Sequence, residues 1–501
     1  MLKSRESAVE QKSELVLAVR GSKQQIQRAI QRHSTDADLI EWRLDLLEGV
    51  DKPTLAQLKQ AAQLPSIFTL GPLDTHTKKE QLFEVLALRP TYLDLAWNTP
   101  LSLVRQICRA YPSLQIIASY HHFEKTPPDL EAIFCAMRRF PAAIFKLATT
   151  ARSTLDALRM LRFVAQKRAQ GISIAGMCMG KLGSITRILA PVVGSRFIYA
   201  AATEGKKTAA GQLTLTELVD TYRVKELTSD AVIYGLIGQP VDKSVGHLCH
   251  NALLRQLGAA AVYVKIELPL AELAQGFQLM QALPICGLSV TMPLKKAVGA
   301  LLNRLDPKAK AIGAVNTLAY QNGQWIGYNT DAKAALDAIE DVQQVAGKAV
   351  WILGAGGAAR AIAFEAASRG ANVMIFNRTQ EKAVALAQEV GGAGYPIASF
   401  AEHAQRGYAV LVNATSVGMA PQTEAIPVHF ETLLKRALVF DAVAYPKQTR
   451  LLAAAKEKEC CCIGGLEMYI RQAAEQMIIW LGKPAQRTAL IAALRKTVNS
   501  F

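Results

Sequence analysis

Short apolar runs alternate with helical patterns along the first two hundred residues. Eight such runs recur about every 25 residues, and the segments between them place apolar residues at three-and-four spacing. The runs cover 15–19, 39–44, 66–70, 92–96, 115–120, 143–148, 171–177 and 196–200. Eight strand and helix units in sequence predict a small (β/α)8 barrel. The pattern is least clear at 185–193, because Pro191 interrupts the cover that should follow the seventh strand.

The layout changes after a polar stretch at 222–230. Strand-like runs at 231–238, 262–268 and 285–291 alternate with helices, and runs at 315–320 and 324–328 flank Asn322-Gly323, which is a strong hairpin signal. A second alternation begins at 349, with strand runs at 350–353, 372–376, 409–413, 438–442 and 461–463. This pattern is typical of a doubly wound α/β domain. The tail at 467–497 is helical and is expected to pack back onto the preceding domain.

Composition and charge exclude several classes of protein. A chain of 501 residues, half apolar and a fifth charged, is too long for one core and unlike a disordered, collagen-like or coiled-coil protein. The net charge of +16 favours anionic partners, but the chain has no run of five or six basic residues, no basic helix and no Cys/His finger, which disfavours nucleic acid. The eight cysteines show no CxxC or Cys/His spacing and indicate reduced thiols. No leader and no membrane span are predicted, so we expect a cytoplasmic protein without a metal.

Polar residues interrupt the strands where a barrel places its active site. Glu41, Arg43 and Asp45 point to one side of a strand, either lining a site or closing the barrel mouth as an ion pair. Lys146 follows two apolar residues of the sixth strand, where an unpaired amine should have a lowered pKa and attack carbonyls, unless it snorkels to solvent. His121 ends the neighbouring fifth strand and could carry protons for such chemistry, or be structural.

Four motifs in this half resemble those of type I 3-dehydroquinate dehydratases over about residues 13–223. They are Glu41-Trp42-Arg43, Ser119-Tyr120-His121, Ile144-Phe145-Lys146 and Thr208-Ala209-Ala210-Gly211-Gln212. The resemblance implies that Lys146 forms an imine with the C3 ketone of 3-dehydroquinate. It also implies that His121 removes the C2 proton and returns a proton to the leaving hydroxyl. The implied substrate-binding residues are Glu41, Arg43, Arg187, Thr208 and Gln212, with Arg187 holding the carboxylate.

The sequence departs from this family after the third strand. Gly71 stands where the family has arginine, and the glutamate that orients the histidine would fall at Thr75. Asp74 is one position away from that glutamate, and Lys78 or Lys79 could supply the missing positive charge. The departures leave open an alternative in which the barrel is a degenerate, non-catalytic scaffold beside an active second half.

A glycine-rich turn in the second half has the context of a dinucleotide site. Gly354, Gly356, Gly357 and Ala358 follow a strand and open a helix, so that the backbone can approach a pyrophosphate at the helix N-terminus. The next strand ends at Asn377-Arg378-Thr379, with no acidic residue for a ribose 2′-hydroxyl. Arg378 could instead pair with a 2′-phosphate, which favours NADP over NAD, although a solvated loop cation is the alternative.

Two ionisable residues near this turn could pass a proton during carbonyl reduction. Lys295 and Asp331 each stand beside small polar residues at a strand end. The alternative for either residue taken alone is a charge on the protein surface.

Further motifs from about residue 231 to the C-terminus closely resemble shikimate dehydrogenases. They include Ile237-Gly238-Gln239-Pro240, Val290-Thr291-Met292-Pro293, Gly313-Ala314-Val315-Asn316-Thr317, Asn329-Thr330-Asp331, Asn413-Ala414-Thr415-Ser416 and Gly465-Leu466-Glu467-Met468. The resemblance implies a catalytic pair of Lys295 and Asp331. The implied substrate-binding residues are Ser244, Thr291, Asn316 and Gln472, and the implied cofactor-binding residues are Gly354, Gly356, Gly357, Ala358, Asn377, Arg378, Thr379, Met419 and Gly465. The family's second serine, its asparagine and its tyrosine are replaced by Gly246, Ser289 and Ala444, with Tyr445 or Lys243 as possible substitutes.

Together the sequence predicts an α/β bifunctional enzyme acting on two small carboxylates. The predicted domains are a dehydratase barrel at 12–224, a substrate-binding domain at 231–332, and a Rossmann NADP-binding domain at 333–501 whose C-terminal helices return to the substrate domain. The barrel would dehydrate 3-dehydroquinate to 3-dehydroshikimate through a lysine Schiff base. The second half would reduce 3-dehydroshikimate to shikimate with NADPH.

Overall fold

The computed structural model describes residues 12–71, 76–483 and 486–499. The chain divides into two compact units. The first comprises residues 1–236 and 240–285, and the second comprises residues 237–239 and 286–501.

Eight parallel strands form a nearly closed barrel in the first unit. They are β1 (Glu14–Ser22), β2 (Leu39–Glu48), β3 (Ser66–Thr69), β4 (Tyr92–Ala96), β5 (Gln115–His122), β6 (Ile144–Thr150), β7 (Ile174–Met179) and β8 (Phe197–Ala201). The strand order is β7-β6-β5-β4-β3-β2-β1-β8. The backbone N–H of Arg196, which precedes β8, donates to the carbonyl of Ile174 in β7 at 2.6 Å and brings the two end strands together. The predicted barrel is confirmed.

Helices lie between successive strands of the barrel. They are α1 (Lys23–His33), α2 (Lys52–Ala62), α3 (His76–Leu86), α4 (Leu101–Ala110), α5 (Leu130–Met137), α6 (Thr154–Ala169), α7 (Ile185–Ile188) and α8 (Ala190–Val193). Local chemistry sets their starts: the Asp51 carboxylate accepts the Thr54 N–H at 2.9 Å, as an N-cap should. The interruption predicted at Pro191 divides the last cover into α7 and α8, because proline is tolerated in the first turn of a helix but not in its interior.

The inside of the barrel is apolar through most of its height. One buried cluster combines inward-pointing residues from the strands, among them Val16, Ile67, Ile117, Ala175 and Tyr199. Because side chains alternate along a strand, the residues two positions further along several of these strands also point inward. On β2, β4 and β6, where Leu39, Tyr92 and Ile144 belong to this cluster, those next residues are the polar Glu41, Asp94 and Lys146, which form the site described below.

The rest of the first unit carries β9 (Val232–Gly238), α9 (Gly246–Gln256), β10 (Ala261–Glu267) and α10 (Leu273–Met280). Residues 237 and 238 of β9 fall in the second unit. The buried amide of Asn251 pairs with the backbone of Tyr263 in both directions, at 2.8 Å each, and fixes α9 against β10.

The second unit begins with four strands in the order β11-β13-β14-β12. They are β11 (Ile285–Val290), β12 (Arg304–Leu305), β13 (Thr317–Gln321) and β14 (Gln324–Tyr328), accompanied by α11 (Pro307–Ile312) and α12 (Asp331–Glu340). The predicted hairpin between β13 and β14 is present, with Asn322 at φ 52° and Gly323 at φ 78°.

A six-stranded parallel sheet completes the second unit. Its strands are β15 (Ala349–Leu353), β16 (Asn372–Asn377), β17 (Ala393–Pro396), β18 (Val410–Asn413), β19 (Leu438–Asp441) and β20 (Cys461–Gly464), in the order β17-β16-β15-β18-β19-β20. This is the strand order of a doubly wound dinucleotide-binding domain, and it confirms the prediction. The helices are α13 (Gly357–Ser368), α14 (Gln380–Glu389), α15 (Phe400–Ala404) and α16 (Arg450–Glu457). Within this sheet, the sequence pattern did not predict the edge strand β17, whose four residues include a glycine and a proline.

Two helices follow the last strand, α17 (Gly465–Leu481) and α18 (Arg487–Asn499). Helix α17 returns to the first strands of the second unit: the Trp480 indole N–H donates to the carbonyl of Leu318 in β13 at 2.9 Å. This contact positions the side chains of α17 beside the second candidate site.

Candidate active sites

Lys146 lies inside the barrel among acidic side chains. Its Nζ donates to Asp94 Oδ2 at 2.8 Å and to Glu41 Oε1 at 3.4 Å, and it lies 4.3 Å from the centroid of the Tyr199 ring. Only 6 % of the Lys146 side chain and 2 % of the Asp94 side chain are exposed. The Thr69 hydroxyl donates to Glu41 at 3.0 Å and fixes that carboxylate. The lysine is therefore enclosed rather than snorkelling.

The charge of this lysine differs from what its position in the sequence predicted. Burial opposes the ammonium, but the negative charge of Asp94, together with Tyr199 and Glu41, outweighs burial and raises the pKa of Lys146. The lysine in turn holds the pKa of Asp94 below its ordinary value against the effect of burial. The predicted fall of the Lys146 pKa was thus wrong, because that prediction assumed an amine without partners.

His121 stands on the strand next to Lys146, as predicted. In the parallel register Ser119 faces Lys146 and His121 faces Ala148, so His121 lies two residues further toward the barrel mouth on the same side. Its ring is open to the mouth and stacks on Phe123 at 5.9 Å between centroids. Burial by the surrounding protein and the Lys146 charge lower the pKa of His121 to about 4. The imidazole is therefore neutral near pH 7 and able to accept a proton.

Arg43 is held at the same mouth by a carboxylate on its own strand. Its Nε and Nη2 donate to the two oxygens of Asp45 at 2.9 and 2.7 Å. Both alternatives left open by the sequence are thus present: Glu41 faces Lys146, while Arg43 and Asp45 form an ion pair. The substitutes considered at Asp74 and Thr75 lie outside the described residues, as do the side chains of Lys78 and Lys79.

Arg187 in α7 is almost completely buried, with 2 % exposure. Its Nη1 donates to the Cys178 carbonyl at 2.8 Å, whereas its buried Nε has no hydrogen-bond partner among the described residues. Burial lowers the pKa of Arg187 to about 10. A buried guanidinium with a donor left over is suited to receiving an anion.

Thr208 and Gln212 form a local turn. The Gln212 amide oxygen accepts the backbone N–H of Thr208 at 2.7 Å and its hydroxyl at 3.1 Å. Between them, Gly211 has φ 69°, and a Cβ there would lie 2.0 Å from the Gly180 carbonyl oxygen. The glycine thus lets this turn press against the loop after β7.

In the second unit, Lys295 and Asp331 meet as a direct ion pair between Nζ and Oδ2. Their side chains are 24 % and 9 % exposed, so the lysine faces an opening. Asp331 begins α12, and the backbone carbonyl of Lys295 accepts the Val315 N–H at 2.7 Å. Structure therefore brings together two residues that are 36 positions apart in the chain.

A buried amide network surrounds this pair. The Asn316 side chain accepts the Thr330 backbone N–H at 2.8 Å and donates to the Thr330 hydroxyl at 2.9 Å. Gln476 of α17 donates to the Asn316 carbonyl at 3.2 Å and accepts the Ser289 hydroxyl at 2.8 Å. Ser289 stands at the departure noted in the sequence, and Gln476 supplies a partner for it.

The other predicted substrate residues of this half are less tightly grouped. The backbone N–H of Thr291 donates to the Ile237 carbonyl at 2.9 Å. The Gln472 side chain donates to the Tyr469 carbonyl at 3.1 Å, one turn before Gln476 on α17. Ser244 belongs to the first unit, where its hydroxyl accepts the Gly246 N–H at 3.1 Å.

The glycine turn after β15 fits a dinucleotide. Gly354 has φ 107°, and a Cβ there would lie 3.1 Å from the Ala414 carbonyl oxygen. A Cβ on Gly356, by contrast, would meet open space at the N-terminus of α13. Gly357 lies beside the catalytic candidates, because its Cβ would stand 4.0 Å from Cδ of Lys295. The turn thus offers backbone N–H groups to a pyrophosphate next to Lys295.

The remaining cofactor candidates follow other strands of the same parallel sheet. Arg378 follows β16, is exposed, and forms no hydrogen bond or ion pair with a described residue, so its guanidinium is free for a phosphate. Asn377 donates to the Thr379 carbonyl at 3.0 Å and shapes the Arg378 loop. Met419 is 42 % exposed, and Gly465 packs so closely that its Cβ would lie 2.5 Å from the Ala442 carbonyl oxygen. The residues present therefore fit NADP, with the helix N-terminus for the pyrophosphate and Arg378 for the 2′-phosphate.

Two features are absent from residues 12–71, 76–483 and 486–499. Within those ranges no three His, Cys, Asp or Glu side chains are grouped as metal ligands. No described helix is both long and apolar enough to cross a membrane.

Comparison with known proteins links each region to a family. The model of type I 3-dehydroquinase matches residues 16–229, that of the shikimate dehydrogenase substrate-binding domain matches 236–318, and that of shikimate/quinate 5-dehydrogenase matches 337–447. The chain is 33 % identical to a chloroplastic bifunctional 3-dehydroquinate dehydratase/shikimate dehydrogenase of Arabidopsis thaliana, covering 91 % of this chain and 79 % of the relative. It is also 33 % identical to the shikimate biosynthesis protein AroDE of Chlamydia pneumoniae, covering 92 % of both.

The chain belongs to the bifunctional 3-dehydroquinate dehydratase/shikimate dehydrogenase family. Solved structures agree for the second half. A shikimate dehydrogenase in complex with NADP+ matches 54 % of this chain and 96 % of its own at 35 % identity and a TM-score of 0.51. The enzyme of Listeria monocytogenes, in complex with shikimate and NAD, matches 54 % of this chain and 98 % of its own at 30 % identity and a TM-score of 0.51.

Membership of this bifunctional family confirms four predictions. The chain is a lyase and an oxidoreductase of the shikimate pathway, it combines a barrel with a Rossmann domain, its cofactor is NADP, and its substrates are small molecules. The comparisons favour two active halves over an active dehydrogenase with a non-catalytic barrel.

Sequence reasoning missed several residues of the two sites. Asp94 is the nearest partner of Lys146, and its signal was a lone carboxylate in the apolar strand Tyr92–Ala96. Tyr199 gave no such signal, because an aromatic residue in a strand is ordinary. Gln476, one turn after the predicted Gln472, was not singled out, and its amide donates to the Asn316 carbonyl and the Thr317 hydroxyl.

Proposed function

We propose that Lys146 and His121 carry the dehydration of 3-dehydroquinate, and that Lys295 and Asp331 carry the reduction of 3-dehydroshikimate. The observation that supports the first assignment best is the enclosed lysine with a neutral imidazole on the adjacent strand. A lysine enclosed beside a base is suited to chemistry that consumes its amine. The second assignment is supported by the ion pair beside the glycine turn.

Dehydration begins with loss of a proton from the Lys146 ammonium, for which Asp94 at 2.8 Å is the nearest acceptor. The free amine attacks C3 of the substrate, and the carbonyl oxygen leaves as water, which produces a protonated imine. The imine withdraws electrons and acidifies the C2 hydrogen, which the His121 imidazole removes. The C1–oxygen bond then breaks, and the imidazolium returns its proton to the departing hydroxyl. Hydrolysis releases 3-dehydroshikimate and restores the amine, so the net loss is one water.

Two groups of cationic or polar side chains would hold the substrate in this barrel. The unpaired Nε of Arg187 would bind the carboxylate, because the guanidinium has a donor to spare in a buried place. Arg43 and Glu41 would contact the ring oxygens from β2, and Thr208 and Gln212 would close the pocket from the loop after β8.

In the second half, NADPH, when bound, would supply the two electrons and the hydrogen that reduce the ketone carbon of the substrate. Lys295 donates a proton to the ketone oxygen, and Asp331 keeps the ammonium in place. Thr291, Asn316 and Gln472 would contact the substrate. The cofactor would be held by Gly354, Gly356, Gly357, Ala358, Asn377, Arg378, Thr379, Met419 and Gly465.

We further assign the activities to the predicted domains at 12–224, 231–332 and 333–501. The matched family ranges at 16–229, 236–318 and 337–447 support these boundaries. The cytoplasmic location stays a prediction, supported by eight free cysteines.

The test is conversion of 3-dehydroquinate in the presence of NADPH. Wild-type protein should form shikimate with stoichiometric loss of nicotinamide absorbance. The Lys146→Ala variant should convert added 3-dehydroshikimate but not 3-dehydroquinate, and Lys295→Ala should accumulate 3-dehydroshikimate. Shikimate formation from 3-dehydroquinate by the Lys146→Ala variant would contradict the assignment.

A further inference from the structure

The mouth of the barrel contains a charged pair that the proposed chemistry uses only in part. Arg43 and Asp45 lie on β2, and both side chains are about three-quarters enclosed, with 23 % and 24 % exposure. Nε and Nη2 of the Arg43 guanidinium donate hydrogen bonds to the two Asp45 carboxylate oxygens. Among the described residues the Nη1 amino group has no acceptor, so it is available to one. A bidentate pair fixes the plane of a guanidinium, which a single hydrogen bond does not.

The backbone of β2 is irregular at this pair. Val19 of β1 faces Trp42, but Gly21, two residues later, faces Leu47, so the segment 43–46 bulges away from the β1 register. Bulges at the rims of barrels re-aim side chains near active sites. Here the bulge falls on the segment that contains both Arg43 and Asp45. In a regular β2, these side chains would follow the usual alternation in which every second residue points into the barrel.

Neighbouring β3 leaves room for the pair. Arg43 faces Thr69 across the ladder, and Gly71 follows two residues later. Gly71 has φ 71°, and a Cβ on it would stand 3.5 Å from Cβ and Oδ2 of Asp45. The space above Gly71 is therefore bordered by the Asp45 carboxylate, and a longer side chain at position 71 would compete for it.

We propose that Asp45 is a positioning residue of the dehydratase site, which holds the Arg43 guanidinium over the barrel mouth with Nη1 presented to an oxygen of the polyhydroxylated substrate. This inference rests on the proposed dehydratase function. Asp45 acts through Arg43 and touches no reacting atom. Both charges also act on His121, the Arg43 charge lowering the pKa of His121 and the Asp45 charge raising it, which places the pair beside the proton-transfer residue.

The experiment compares Asp45→Asn, Arg43→Ala and the double variant in the dehydratase assay. Asp45→Asn should lower kcat/KM for 3-dehydroquinate roughly 10- to 100-fold, mainly through KM, because a charge-assisted bidentate contact is lost. In the Arg43→Ala background the same substitution should change kcat/KM less than twofold, since the residue it positions is gone. Asp45→Glu should restore part of the loss. Glu48→Gln, which removes an exposed carboxylate at the end of the same strand, is the matched control and should behave as wild type.

Two readouts separate this inference from the proposed function. Shikimate oxidation by each variant reports folding of the second half, and borohydride trapping at saturating 3-dehydroquinate reports an intact barrel and imine formation, which does not need Asp45. Trapping that fails in wild type would overturn the dehydratase assignment itself. Normal trapping with an Asp45→Asn kcat/KM within twofold of wild type would overturn only the role of Asp45. An equal loss in the Arg43→Ala background would also overturn it, because Asp45 would then act without Arg43.

Discussion

Two lysines, each paired with a carboxylate, lie in different surroundings in the two halves of this enzyme. Lys146 is 6 % exposed and lies between Asp94 and Glu41, whereas Lys295 is 24 % exposed and forms an ion pair with Asp331. An enclosed amine is shielded from water, so an imine that it forms is protected until the chemistry is complete. An amine at an opening can exchange its proton with solvent between turnovers. We infer that burial, rather than residue type, separates a nucleophile from a proton donor here.

Removing either lysine should give the largest effect, the loss of one activity while the other is kept. Lys146→Ala should lower the dehydratase rate roughly 10⁴-fold or more, because no other described amine occupies its place and covalent catalysis is lost. Shikimate oxidation by the same protein should be unchanged and serves as the control for folding. A loss of both activities together would show that the two lysines do not serve separate reactions.

Lys295→Ala is the counterpart in the second half. Loss of a positioned proton donor should lower the reductase turnover about 10²- to 10⁴-fold, while NADPH binding, followed by fluorescence titration, changes little. Lys296→Ala is the matched control, because that neighbouring lysine is exposed. A near-normal rate for Lys295→Ala would refute the proton-donor role.

Arg378→Ala tests how the second half recognises its cofactor. The KM for NADPH should rise about tenfold and the KM for NADH should change little, because the 2′-phosphate loses a cationic partner. Lys382→Ala, on the first turn of α14, removes a nearby exposed charge and should leave both constants unchanged. Equal effects of Arg378→Ala on the two cofactors would exclude recognition of the 2′-phosphate.

Asp94→Asn tests what sets the charge of Lys146. Without the carboxylate, the largest of the charges that raise the pKa of Lys146 is lost, so this pKa should fall. The measurement is the pH at which Lys146 becomes reactive toward reductive methylation, followed by mass spectrometry. Glu124→Gln, an exposed carboxylate soon after β5, should leave that pH unchanged. An unchanged pH in Asp94→Asn would mean that Asp94 does not hold the ammonium.

The pH profile of the dehydratase gives the smallest expected effect. His121 acts as a base in its neutral form, and its pKa is lowered from the ordinary 6.5 to about 4. The rate constant kcat/KM should therefore stay level as pH falls from 7 to 5 and decline tenfold per unit only below about pH 4. Shikimate oxidation measured over the same range controls for unfolding. A decline centred near pH 6.5 would show an unperturbed histidine.

Local patterns predicted much of the fold, since strand and helix periodicity depends on neighbours in the chain. The barrel, the hairpin at Asn322-Gly323 and the glycine turn were all readable in this way. The edge strand β17 was missed, because glycine and proline dominate its four residues.

The environment of each site residue was harder to predict. The partners of Lys146 come from β2, β4 and β8, and which residues face it depends on strand register across the whole barrel. The sequence therefore located the lysine correctly and mistook the direction of its pKa shift. Gln476 was missed for a similar reason, since its partners on β11 and at the start of β13 are set by how α17 packs.

The central claim is that Lys146 condenses with the ketone of 3-dehydroquinate. The direct test is borohydride reduction of the wild-type protein with 3-dehydroquinate present, followed by peptide mass spectrometry. We expect a substrate-dependent mass increase on the peptide that contains Lys146, together with loss of dehydratase activity and retention of shikimate oxidation. An unmodified Lys146 in protein that still oxidises shikimate, or an adduct on a different lysine, would contradict the account.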